Sequence, residues 1–62
     1  MLYKRIATIA KKQDYSIRKI ERICNFSNGT IRAWGINNNA PARKLKQVAD
    51  LLNVTVDDLL KD

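Results

Sequence analysis

The sequence has no histidine, and its single cysteine is Cys24. A tetrahedral zinc site and an internal disulfide both need more ligands or partners than this. Metal, disulfide and cofactor are therefore not expected. Glycine occurs twice and proline once, so little interrupts a run of helices. No apolar run exceeds three residues, far short of the roughly 20 that cross a bilayer. Residues 1–12 also lack the apolar block of a signal peptide, so the chain is expected in the cytoplasm with no membrane partner. Carboxylates are scarce, six against twelve Lys and Arg. Three of them, Asp57, Asp58 and Asp62, fall on a helix-capping turn and a terminus instead of facing one another across a cleft. Without histidine or a phosphate-binding glycine loop, catalysis is not expected.

What remains is a chain of 62 residues in which 45% are hydrophobic and 29% charged. That balance fits one small globular domain, 1–62, which hides only about 60% of the surface its unfolded chain exposes. The net charge of +6 is uneven. Lys4, Arg5, Lys11, Lys12, Arg18, Lys19 and Arg22 face only Asp14 and Glu21 in residues 1–31, whereas five bases and four acids nearly cancel in residues 32–62. A small domain with so basic a half suits a polyanionic partner.

The apolar spacing is helical almost throughout. Leu2, Ile6, Ile9 and Ala10 recur at i, i+4, i+7 and i+8, which predicts a helix over 2–12. Ser16 can cap a second helix over about 17–24, with Ile17, Ile20 and Cys24 inward. Asn25 tolerates the left-handed conformation that ends many helices, and Phe26 can fold back onto the core. Ser27 offers another cap, for a short helix over about 28–34 anchored by Ile31 and Trp34. Asn28–Gly29 also suits a β-hairpin turn, but neither flank alternates as a strand would. Residues 35–40 read as a loop. Pro41 suits the first turn of a fourth helix, about 42–52, carrying Leu45, Val48, Ala49 and Leu52. Thr55 can cap a last helix with Asp57 and Asp58 in its first turn and Val56, Leu59 and Leu60 inward. Cys24 and Trp34 complete apolar faces and are expected in the core.

The expected architecture is thus an all-α bundle of five helices, the second and third forming a helix-turn-helix over about 17–34. Within that window Ile20, Cys24, Phe26, Ile31 and Trp34 fall where such motifs place their core residues. The segment P-A-R-K-L-K-Q-V-A-D-L-L-N-V-T-V-D-D-L-L resembles the closing helices of the lambda-repressor and Cro class, the XRE family. S-I-R-K-I-E with F-S-N-G-T-I-R-A-W is similar to short repressors of phages and mobile elements of Gram-positive bacteria. The chain departs from the family in three places. Ile17 stands where a phosphate-contacting Gln is common. Glu21 replaces a small residue and would need a partner such as Arg32 or Arg5 if buried. Ala10 and Gly35 replace a frequent Arg–Glu pair.

The resemblance implies a transcriptional regulator that binds double-stranded DNA, acting as a repressor. Its recognition helix, about 28–34, would enter the major groove, which admits one α-helix. Arg32 can bond guanine bidentately, and Asn28, four residues earlier, can do so to adenine. Gly29 beside them permits a close approach of DNA or eases the helix start, and Ala33 can touch a thymine methyl. Ser16, Arg18, Ser27, Thr30, Asn38, Asn39, Arg43 and Lys44 are candidate contacts to the DNA backbone. A homodimer on a pseudo-palindromic operator is expected, with Val54, Val56 and Leu60 as candidate interface residues. No effector site for a small molecule is evident. The alternative is a module that keeps this fold but binds another regulator.

Overall fold

The computed structural model describes residues 2–37 and 40–61, the side chain of Asn37 excepted. Its helices are α1 (Leu2–Lys12), α2 (Ile17–Ile23), α3 (Thr30–Asn37), α4 (Ala42–Leu52) and α5 (Val56–Leu60). Among the described residues there is no strand, and the chain is an all-α five-helix bundle. None of these helices is long and apolar enough to cross a membrane. α1 packs on α3 and α5, α5 on α4, and α2 on α3. One core joins all five: Leu2, Ile6 and Ala10 meet Ile20, Ile31, Trp34, Leu45, Val48, Ala49, Leu52 and Leu59. Cys24 only half belongs to it, capping the C-terminus of α2, and burial raises its thiol pKa.

Three of the helices end by the same device. Asp14, Asn25 and Asn53 follow α1, α2 and α4 at φ of 62°, 62° and 58°. Short polar side chains of this kind tolerate the left-handed region better than other non-glycine residues. The next residue donates its N–H five positions back: Tyr15 to Ala10 at 2.9 Å, Phe26 to Glu21 at 2.7 Å and Val54 to Ala49 at 3.0 Å. Each also turns its side chain onto the core, the apolar contact that accompanies a Schellman motif. The next helix thus starts at a fixed angle after each stop.

The helix starts vary more. Ser16 and Thr55 cap α2 and α5 by accepting the Lys19 and Asp58 N–H groups, each at 3.0 Å. Asp58 returns a bond to the Thr55 N–H at 3.0 Å, completing a capping box. That N–H and then the Thr55 hydroxyl lower the Asp58 pKa from its ordinary value. Pro41 is the residue before α4, not its first turn, and caps without a side-chain bond.

α3 differs most from the sequence expectation. It begins at Thr30, not near Asn28, and continues through Gly35 to Asn37, where a loop is expected. Gly35 explains the continuation. A Cβ there would sit 2.5 Å from the Cβ and 3.2 Å from the Cγ of Tyr3, so the missing side chain lets α1 lie against α3. Gly35→Ala sets a helix-propensity gain of about 1 kcal/mol against an overpacking cost of roughly 1–3 kcal/mol. A net loss of about 1 kcal/mol is expected, read by circular dichroism as a Tm lower by roughly 4–8 °C. A stabilised variant would show that the two helices part freely.

Candidate nucleic-acid interface

The turn between α2 and α3 is held from beneath by Glu21. The side chain is 2% exposed, yet no arginine meets it; Arg5 instead donates from Nε to the Asp58 carbonyl at 2.9 Å. The partners of Glu21 are backbone groups. Oε1 accepts the Gly29 N–H at 3.2 Å, and Oε2 accepts the Ile31 N–H at 3.0 Å. The first N–H groups of a helix have no partner within it, and its N-terminus carries partial positive charge. A carboxylate of α2 therefore caps α3, the role expected of Ser27. The Ser27 carbonyl, not its hydroxyl, serves this turn, accepting from the Thr30 N–H at 3.2 Å and the Thr30 hydroxyl at 2.7 Å.

These bonds redraw the candidate contacts. The Thr30 hydroxyl proton is already engaged, and Glu21 already answers the positive end of α3, so neither is offered to a phosphate. Ser27 is exposed. Gly29 lies outside the helix at φ +89°, and a Cβ on it would meet nothing within 4 Å. Its identity follows from that backbone conformation, and no cost of glycine inside a helix applies. Asn28 is exposed on the turn. It and Arg32 are therefore not paired on one helical face, as the expected start of α3 implied. Arg32 is exposed on the first turn and a half of α3, Ala33 beside it is half-buried, and Trp34 is 4% exposed within the core.

Exposed cations lie on α2 and α4. Arg18, Lys19 and Arg22 border an open depression on α2 together with Ser16 and Ile23. Ser16 uses its oxygen as the α2 cap, leaving its proton to donate. On α4, the Lys44 ammonium stands 5.5 Å from the centre of the Phe26 ring, which packs edge-on against Trp34 at 5.9 Å. Lys44 is thereby placed beside the α2–α3 turn. Lys19 similarly lies over Tyr15 at 5.1 Å. The one ion pair among the described residues is Lys46 with Asp50 at 3.1 Å. Arg18, Arg22, Arg32 and Arg43 thus face solvent with no carboxylate of the described residues beside them. Burial of Glu21 leaves Asp14 as the only exposed acid before α4. Asn38 and Asn39 lie outside the described residues.

Sequence reasoning missed two features of this region. Glu21 carries no local sign that its partners are N–H groups eight and ten residues later. Ile36 falls in an expected loop, yet it lies in the last turn of α3 at 77% exposure. At the opposite end, Val54 and Val56 pack on the core, and of the three candidate interface residues only Leu60 is exposed. No group of three potential metal ligands occurs among the described residues. No family model matches the chain, and neither does any curated protein or any solved structure.

Proposed function

We propose that this chain is a sequence-specific double-stranded DNA-binding transcriptional regulator, a Cro-like or phage-type repressor working in the cytoplasm. The observation that carries the reading is the setting of Arg32. It stands exposed and unpaired on a short helix whose start is locked by Glu21 and whose inner face is locked by Trp34. Arg18, Lys19 and Arg22 are exposed on α2, and Lys44 of α4 stands beside the Phe26 ring in the α2–α3 turn; such cations would meet phosphates bordering the major groove. Arg32 then reads a guanine edge, while Asn28 and Ala33 are secondary base contacts. Ser16, Arg18, Ser27, Arg43 and Lys44 hold the DNA backbone. One short helix reads few bases, so two copies on a pseudo-palindrome, with half-sites about 34–36 Å apart, supply the remaining specificity. Leu60 is the residue available for pairing the copies.

Selection from a random DNA library at near-physiological salt tests this reading. An enriched inverted repeat supports it, and salt-sensitive binding with no enriched motif removes it. Ile23, 52% exposed among the cations of α2, favours the second reading, a module that binds another regulator. Arg43→Ala separates charge from readout: it is expected to weaken all DNA sequences about equally and lower the salt slope by about one. Titrations of cognate and scrambled duplexes at several salt concentrations check this.

A further inference from the structure

Ile36 is more exposed than Ile23 or Leu60, at 77% against 52% and 56%. It follows Arg32 by four residues, which puts both on one side of α3. The two share an open depression with Gly35 and with Tyr3 and Lys4 of α1. An apolar side chain in the same depression as two cations fits a surface that sets a small apolar group near negative charge. The major groove offers that combination: the C5-methyl of thymine is the apolar group on its base edges, and phosphates line its walls. We propose that Ile36 reads a thymine methyl group while Lys4 contacts a neighbouring phosphate, an inference that rests on the DNA-binding reading above. One helical turn advances about 5.4 Å and one base step about 3.4 Å. The methyl therefore belongs one or two base pairs from the base that Arg32 bonds.

The probe is the duplex recovered by library selection, with each thymine replaced in turn by deoxyuridine, which lacks only the methyl group. Binding of the wild type, Ile36→Ala and Arg32→Ala is followed by fluorescence anisotropy. Ile36 is exposed, so its alanine variant is expected to fold, which helical circular dichroism checks. At one thymine per half-site, next to the base whose preference Arg32→Ala relaxes, deoxyuridine should weaken the wild type about fourfold, the worth of one buried methylene-sized group. Ile36→Ala, which lacks the contact in both half-sites, should bind the thymine duplex about sixteenfold more weakly and be indifferent to the replacement at that position. Equal effects of deoxyuridine on wild type and Ile36→Ala overturn the proposal, as does an Ile36→Ala protein that binds like the wild type. Each of these leaves the DNA-binding reading standing. A selection that enriches no motif for the wild type defeats that reading and this inference with it.

Discussion

Replacing Glu21 with alanine is expected to cost about 3 kcal/mol of stability, since each of two hydrogen bonds to a charged group contributes roughly 1.5–3 kcal/mol. In a domain of this size that is a fall in Tm of about 12–24 °C. The loss is large because nothing near the site can take over. The Ile31 N–H bonds the carboxylate in a buried setting, and the Gly29 N–H in a partly buried one. The Ser27 carbonyl is already occupied by Thr30. At roughly 0.05–0.15 kcal/mol per residue the whole domain has only about 3–9 kcal/mol to lose. Glu21→Gln should be milder, about 2 kcal/mol: it keeps the shape and one accepting oxygen, but turns an amide NH2 toward a backbone donor. The order alanine, glutamine, wild type in thermal unfolding is the expected result. A shift of less than about 4 °C for alanine, worth roughly 1 kcal/mol or less, would mean that water replaces the carboxylate at the start of α3.

Why Glu21 escapes a reading of side-chain types becomes clear beside the parts of the fold that do not. α1, α4 and α5 have the bounds their apolar spacing and caps predict. Their signals are local: Leu2, Ile6 and Ala10 on one face, Thr55 and Asp58 three residues apart. Asn25 stops α2 in the left-handed conformation for a reason visible in its own side chain. α3 is different because it rests on contacts at a distance. Its start depends on a carboxylate from α2 as well as on the positive φ of Gly29; Asn-Gly hints at the second, but nothing in the string Ser-Asn-Gly-Thr shows the first. Its passage through Gly35 lies against Tyr3, some thirty positions away in sequence. Without that contact the glycine reads as a breaker. The site inherits this division. The exposure of Arg32 and the burial of Trp34 follow from spacing alone, whereas Asn28, Thr30 and Ile36 change standing with the ends of the helix.

Arg32→Ala is expected to weaken binding to the selected site by about 5- to 150-fold, the equivalent of roughly 1–3 kcal/mol for a lost bidentate contact. Binding to unrelated duplexes should change far less. The loss can be assigned to readout because Arg32 is exposed and has no carboxylate beside it; a surface substitution of that kind usually leaves stability within about 0.5 kcal/mol. Arg32→Lys divides the effect further. A lysine keeps the positive charge, and with it the salt slope, but its ammonium is a point charge without the planar fork that meets guanine O6 and N7 together. The lysine variant should therefore retain non-specific affinity and lose most of the preference at one position in each half-site, as a repeat selection would display. A lysine variant that selects the wild-type motif would reduce Arg32 to a source of charge. Readout would then have to come from the turn, where Asn28 stands exposed next to a glycine held at φ +89°.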